Sequence, residues 1–414
     1  SGNVIKSRVF DWAGPREVKV RVLDRFGMPL KSTESDVQSF FAVKQGADVF
    51  GSKLVLDEQG LVLRRTYHSA GPFGQPRQGE DGSWGVRFER EPGRVQPARA
   101  THLGPDGEDQ PNRNGVAFHT HKRDDHGNVI ERGHFAQDGT PILDQDGSAG
   151  FVARYDESGN LIEQTFIGLN GAPTLVNDGI ARRVAKYDDR GNWVEVRFFD
   201  AVGKLTLCKD GNAGWRARHD ERGNAVERSF FGLEGELVIL SNTLYASERM
   251  EYNERGDLVA VSFYEPAGKP TLDSNGAAGW QTVTDERGRR IRTTNIGLDG
   301  KPTRDKRGIS AWTVRYDDRG SELERSYFGP GGEQDLARDG CSTIRNETDE
   351  RGNKVSTRCF GLDGALALNE KGCAGWNKRY DDGGHLVEDI CVDVNGRPAP
   401  STEGPARTTV RYDR

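Results

Sequence analysis

An all-β array of tandem β-hairpin repeats is the fold class this sequence predicts. Three observations predict it. The first is a period. The word Asp-x-x-Gly, most often followed by Asn, recurs with its first residue at Asp124, Asp156, Asp188, Asp220, Asn253, Asp285, Asp317, Asp349 and Asp381, in steps of 32 residues except for one of 33 between Asp220 and Asn253. A fixed period in this range marks an array of small units, each packed mainly on its neighbours. The second is two-residue alternation between the turns, as in Trp215-x-Ala217-x-His219, which argues for half-buried strands. The third is composition. Hydrophobic residues are 34% of the chain and Gly is 53 of 414, where ~7% Gly is usual. Such a chain cannot bury a thick core, but it can build many turns joined by short strands.

Taken in order, residues 1–123 read as degenerate N-terminal repeats. Asp57-Glu58-Gln59-Gly60 and Leu103-Gly104-Pro105-Asp106-Gly107 look like eroded units, and an irregular insertion is expected near 31–56. Residues 124–414 read as nine regular 32-residue hairpin repeats. Each carries three turn signals. The first is the Asp-x-x-Gly word, with structural turn residues expected at Asp156 and Gly159, Asp188 and Gly191, Asp220 and Gly223, Asp317 and Gly320, and Asp349 and Gly352. The second is a Gly fifteen residues after the Asp, from Gly139 to Gly396. The third is an Asp-Gly-like pair before a small-residue segment, as in Asp210-Gly211-Asn212-Ala213-Gly214-Trp215. Gly at such places supplies positive φ, and Asp can accept bonds from backbone N–H groups of the turn.

Between turns an aliphatic position (Ile162, Val194, Val226) and a mostly aromatic one four residues on (Phe166, Phe198, Phe230) mark one face. A four-residue loop would set Tyr187 opposite Asn192 and Ala185 opposite Val194, with the aromatic, Ala and aliphatic positions on one face. Since a slip of one residue exchanges the faces, this register is the expected one. The recurring Glu (Glu131, Glu163, Glu195, Glu227, Glu324, Glu388) and bases such as Arg154, Lys186 and Arg315 then share the other face. A flat sheet of about twenty strands would twist and expose its edges, so the array is expected to curl into a spiral, shell or solenoid.

Net charge is −6, from 58 basic and 64 acidic residues with the signs interleaved. No basic stripe points to nucleic acid. No apolar run approaches the ~18 residues of a membrane helix, so membrane insertion is not expected. Ser1-Gly2-Asn3-Val4-Ile5 reads as the inside of a repeat, so the chain is expected to be part of a longer protein.

The words Tyr155-Asp156-Glu157-Ser158-Gly159-Asn160-Leu161, Tyr187-Asp188-Asp189-Arg190-Gly191-Asn192 and Tyr316-Asp317-Asp318-Arg319-Gly320 resemble the YD repeats of the RHS and teneurin proteins. The resemblance covers roughly residues 120–414. It implies a spiralling β-sheet shell, which encloses a toxic cargo domain in bacterial members and serves cell-surface contact in teneurins. Two departures stand out: the 32-residue period is longer than the family's usual one, and Asn follows the Gly where the family tends to have Arg-Leu.

Five of the eight histidines (His102, His119, His121, His126 and His134) fall within 33 residues. His119, His121 and His134 are the candidate ligands of a divalent metal, set against eroded repeat positions where His replaces an aromatic. No other cofactor is expected. Cys341 and Cys373 share one repeat position, as do Cys359 and Cys391. Either pair could bond if repeats stacked as single rungs. In a meander, equivalent positions lie two strands, roughly 10 Å, apart and neither could. Free buried thiols are the expected state, with Cys208 left over. The Glu row is expected to be a solvated face balanced by cross-strand bases, and Asp144-Gln145-Asp146-Gly147 a turn and not a calcium loop. Trp215, Trp280, Trp312 and Trp376 recur with the repeat and are expected in the core. Trp12, Trp84 and Trp193 are the candidate ligand-binding aromatics, Trp193 being expected to point outward.

No nucleophile elbow, phosphate loop or Cys–His arrangement stands out. The function expected is a non-catalytic scaffold or binding module of a larger bacterial protein, secreted or at the cell surface, presenting a surface to a protein or glycan partner. The alternatives are a shell around another domain of the same polypeptide and an enzyme whose site lies in the irregular N-terminal third.

Overall fold

The computed structural model describes residues 7–23, 51–68, 76, 78–79, 81–349, 353–381 and 386–410. Every regular element among them is a β-strand, and within each of two units successive strands pair antiparallel. The chain divides into two compact units, residues 2–216 with 231–235, and 217–230 with 236–414.

The N-terminal unit holds β1 (Ser7–Gly14), β2 (Glu17–Leu23), β3 (Gly51–Leu56), β4 (Val62–His68), β5 (Gly85–Glu89), β6 (Arg99–Leu103), β7 (Phe118–Arg123), β8 (Val129–Phe135), β9 (Gly150–Tyr155), β10 (Leu161–Ile167), β11 (Arg182–Tyr187), β12 (Trp193–Phe199) and the start of β13 (Gly214–His219). The C-terminal unit holds β14 (Ala225–Phe231, nearly all of it), β15 (Ser247–Tyr252), β16 (Leu258–Tyr264), β17 (Gly279–Thr284), β18 (Arg290–Ile296), β19 (Ala311–Tyr316), β20 (Glu322–Phe328), β21 (Thr343–Thr348), β22 (Lys354–Phe360), β23 (Gly375–Tyr380), β24 (Leu386–Val392) and β25 (Arg407–Thr409). Of the insertion expected near 31–56, residues 31–50 lie outside the described residues, as does Gly352, while 51–56 form β3 and pair with β2 and β4.

The Asp-x-x-Gly-Asn word builds the first turn through its own side chains. Asp188 Oδ1 accepts from the backbone N–H of Arg190 (3.0 Å) and Asn192 (2.9 Å), and Asn192 Nδ2 donates back to Asp188 Oδ2 at 3.0 Å. The same Asn-to-Asp bond closes the turns at Asp124, Asp156, Asp220 and Asp349. The Asn after the Gly is thus part of the turn's bonding. Gly191 sits at φ +80°, a left-handed conformation that costs other residues.

The register differs from the expected one. Tyr187 opposes Trp193, Lys186 opposes Glu195, and Ala185 opposes Val196, not Val194. The turn takes five residues, closed by Asp188 N–H to Asn192 O at 3.0 Å, and a bulge after Trp193 then leaves Val194 without an opposite residue. Because the bulge absorbs the odd residue, the faces still sort as expected. Val196 and Phe198 oppose Ala185 and Arg183 on one face, and Glu195 opposes Lys186 on the other.

Tyrosines tie successive hairpins together. Tyr155 Oη donates to Val129 O (3.1 Å) and Tyr187 Oη to Leu161 O (3.0 Å). In the C-terminal unit Tyr252, Tyr316 and Tyr380 donate likewise to Ala225, Arg290 and Lys354. Where a Tyr precedes the turn word, as it does in five of the nine repeats, it therefore supplies an inter-repeat bond.

The third turns stack on one another through the backbone. Asn177 N–H donates to Asp146 O (2.9 Å) and Lys209 N–H to Asp178 O (2.8 Å) in the N-terminal unit. Ser274, Lys306, Arg338, Glu370 and Thr402 donate in the same way to Thr243, Asn275, Arg307, Asp339 and Lys371. The most deeply buried residues include small ones just before the first strand of a hairpin: Ala181 and Ala213 in the N-terminal unit, and Ala246, Ser310, Ser342 and Ala374 in the C-terminal unit, are fully buried. Each donates its N–H to the end of the following strand, as Ala181 does to Phe199 O at 2.8 Å. The extra residue of the 33-residue step is accommodated here. Val176 N–H closes a third turn on Ile180 O, whereas Leu240 N–H closes the longer one on Tyr245 O, with Leu244 in the left-handed region at φ +68°. Ser274 still donates to Thr243 O, so the stack continues past the insertion.

Two expectations about side chains are corrected. Trp215, Trp280, Trp312 and Trp376 are half-buried and not core; the buried positions beside them are small residues, Ala213, Ala278, Ala311 and Ala374. Four cysteines are bridged and not free. Cys341 bonds Cys359 (Cα–Cα 5.3 Å) and Cys373 bonds Cys391 (5.6 Å), each 18 residues apart and each joining the third turn of one repeat to the hairpin of the next. The 32-residue pairs Cys341–Cys373 and Cys359–Cys391 do not form, since antiparallel pairing puts a third turn beside the hairpin that follows it and leaves equivalent residues of successive repeats two strands apart. Cys208 is free and half-buried.

Candidate functional site

The carboxylate row is occupied by its own neighbours. Glu195 meets Lys186 on one flanking strand (3.3 Å), Arg216 on the other (2.9 Å), and Arg197 along its own strand (2.9 Å). Partial burial would raise its carboxyl, but the hydrogen bonds from Arg216, Arg197 and Lys186 outweigh that and hold it down at about 2. Glu163 pairs with Arg154 and Arg182, Glu324 with Arg315 and Arg345, and Glu388 with Arg379 and Arg407. Arg182 and Arg345 also lie over the rings of Phe199 and Phe360, 4.4 and 4.6 Å from their centroids. A carboxylate held between two cations is a poor proton donor or acceptor near neutral pH. The Asp144 segment is a turn, its Oδ1 accepting from the N–H groups of Asp146 and Ser148.

Of the three candidate aromatics, Trp12 on β1 is 65% exposed, Trp193 at the start of β12 is 45% exposed, and Trp84 before β5 is half-buried. Trp193 is not an isolated outward indole. Its ring lies 5.9 Å from that of Trp215 on β13 and 6.1 Å from that of Tyr187 on β11. Three aromatics on three adjacent strands thus form one patch with the indole of Trp193 outermost. In other repeats the Trp193 position holds Val129, Leu161, Ala225, Leu258, Arg290, Glu322 and Lys354, so the patch is particular to this hairpin. Exposed aromatics beside one another suit stacking on a sugar ring or packing in a protein interface.

The histidines meet on adjacent strands but do not surround a point. His102 on β6, His119 and His121 on β7, and His134 on β8 are all buried. His102 Nε2 and His119 Nε2 share a hydrogen bond of 2.9 Å, and the His119 ring lies 4.9 Å from that of His134 and 6.5 Å from that of His121. His134 Nδ1 faces Ser148 O at 3.2 Å and Asp144 Oδ2 at 3.5 Å, while His102 Nδ1 faces Asp81 Oδ2 at 3.6 Å. Among the described residues no three His, Cys, Asp or Glu converge as a metal ion requires. Burial, and then the Arg132 guanidinium, push the His121 imidazole down to about 2 and that of His134 to about 4. His119 is held well below its ordinary range for the same two reasons, and His102 is lowered by burial. The sequence places His102 among the clustered histidines but does not show that it bonds His119.

His121 also lines a cavity of about 860 Å³ between residues 91–98 and the turn that closes β7 on β8, with Arg94, Gln96, Lys122 and Asp125 among its walls. This cavity exists because β5 and β6 are joined by the long segment 90–98 where other hairpins use the five-residue Asp word.

No family model matches the sequence, and no curated protein matches it. Among solved structures the chain is similar to a TcdB2-TccC3-TEV crystal structure, with 12% identity over 92% of this chain and 18% of that one, at a TM-score of 0.31. It is similar also to TcdB2-TccC3 without the hypervariable C-terminal region (13% identity, 98% of this chain, 26% of that chain, TM-score 0.25). A third is the Photorhabdus luminescens Tc holotoxin pore (12% identity, 93% of this chain, 23% of that chain, TM-score 0.24). The chain spans about a quarter or less of the length of these proteins. At this identity and superposition the likeness is a loose one.

Proposed function

We propose that this array is a non-catalytic scaffold that presents a surface to a protein or glycan partner, met outside the reducing cytosol. The observation that carries the reading is the aromatic patch of Tyr187, Trp193 and Trp215, three neighbouring rings with an exposed indole outermost, on the face of the sheet opposite the paired charges of Glu195, Lys186 and Arg216. The paired Glu and Arg rows give a soluble, regular frame, and the patch gives a partner an apolar foothold. The two buried disulfides support an oxidising compartment, because such bridges are rare where glutathione keeps thiols reduced.

The test is binding of the whole chain to a panel of immobilised oligosaccharides and extracellular proteins, with Trp193→Ala in parallel. An interface aromatic of this kind is worth about 2 kcal/mol, so the variant is expected to bind about thirtyfold more weakly at an unchanged melting temperature. A partner held equally well by the variant would remove the patch from the reading.

A further inference from the structure

We propose that strands β6–β8 form an acid-released latch, which stays closed while His102, His119, His121 and His134 are uncharged and opens when the rings take up protons. The geometry of one bond carries this. Nε2 of His102 and Nε2 of His119 lie 2.9 Å apart, so one ring must donate and the other must offer a lone pair. If both rings are protonated, two N–H groups point at each other and the bond becomes a repulsive contact. His119 is in ring contact with His134 and His121, so each further proton adds a like charge to the same buried string.

Among the described residues, the charged groups that act on the rings are Asp81 from the turn before β5, Arg123 of β7, Arg132 of β8 and Asp144 from the turn before β9. Arg132 opposes His121 directly, and it disfavours a charge on all four rings. Asp81 and Asp144 stand at the two ends, beside His102 and His134. The residues that oppose the rings from within the sheet, Val86 on β5 and Ala100 on β6, are apolar, and so is Ala149, whose carbonyl accepts from His134 N–H.

Imidazoles lowered in the folded state bind fewer protons there than when unfolded. Their contribution is therefore complete above the unfolded value of about 6.5 and is lost as pH falls below it, down to about 4 for His134. Two structural contrasts localise the effect. Six of the eight histidines lie at or before His134, and the C-terminal unit is bridged twice in β21–β24 and the turns beside them. Acid should therefore loosen the N-terminal unit first.

The test is peptide-level hydrogen exchange on the full chain at about pH 7.5 and about pH 5, corrected for the intrinsic pH dependence of exchange. Opening of β6–β8 is expected to rise at least about tenfold at the lower pH, the equivalent of roughly 1.4 kcal/mol, with β21–β24 unchanged. The variant His119→Phe with His134→Phe installs the facing pair that the next repeat has in Phe151 and Phe166. It should lose the acid response. An unchanged response in that variant, or none in the parent chain, overturns the proposal. Should the variant not fold, the imidazole signals of the parent chain decide by nuclear magnetic resonance. Rings that titrate one by one near 6.5 in the folded protein overturn it, and rings that stay neutral until β6–β8 open support it. A rise in melting temperature with added zinc, reversed by a chelator, also overturns it, because a metal would then hold the lone pairs.

Discussion

Removing the Cys341–Cys359 bridge should cost the C-terminal unit about a hundredfold in the balance between closed and open states. The bridge closes a loop of 18 residues. On the chain-entropy account this removes roughly 11 cal/mol/K from the unfolded ensemble, or about 3 kcal/mol at 25 °C. Every ~1.4 kcal/mol is a factor of ten. Both sulfurs are buried, so no solvent contact replaces what the bridge does. The variant is Cys341→Ala with Cys359→Ala, compared with the parent chain under oxidising and reducing conditions. Denaturant unfolding gives the total, and hydrogen exchange places it. Since each repeat packs chiefly on its neighbours, the loss should be largest in β20–β23 and fade within a repeat or two on either side. A reductant that breaks the bridges, as verified by mass, yet leaves the midpoint and the β21–β22 exchange unchanged would refute the entropic argument. A non-reducing peptide map joining Cys341 to Cys373 would refute the pairing itself.

The turns give two further predictions. Gly191→Val should destabilise by about 1–2 kcal/mol. The nearest atom a Cβ would meet is Asn160 Oδ1 at 3.5 Å, which is ordinary contact, so the cost is the left-handed backbone alone. An unchanged melting temperature would count against the turn geometry. Leu244→Gly should raise the melting temperature slightly, because φ +68° strains a leucine and the side chain is 43% exposed, with little packing to lose. The greater freedom of unfolded Gly offsets roughly half of the gain, leaving a few tenths to about 1 kcal/mol. A lower melting temperature would mean that Leu244 contributes contacts outweighing its strain.

The period, the all-β class and the turn positions were legible because they reside in side chains that repeat, such as Asp188, Gly191 and Tyr187. The exact pairing was not. The bulge after Trp193 leaves no mark in the alternation, because Val194 and Val196 are both aliphatic and either could oppose Ala185. The disulfides are not legible in the 32-residue period, because each bond joins the third turn of a repeat to a strand 18 residues on. The stack of third turns is made by backbone groups and has no residue signature. The grouping of His119 with His134 was readable from the lattice, since both occupy aromatic positions of the neighbouring repeat, and His119 does oppose His134. The patch at Trp193 could be half seen. The indole stands out in the sequence, but only the β12–β13 pairing, in which Trp215 opposes Val196, places Trp215 beside it.

Within each unit the third-turn stack takes one N–H from a repeat and gives one C=O back, with the same partners every time. Deleting a whole repeat from within a unit would therefore leave the flanking copies able to bond as before, and inserting one would add a bond without breaking any. Such arrays can vary in copy number at almost no cost in hydrogen bonding, while a frame change of one or two residues is tolerated where Leu244 shows it, in the third turn. Each copy advances the sheet by two strands, about 10 Å. Each repeat is thus an exchangeable unit, and natural variants of this protein should differ in length by multiples of 32 residues.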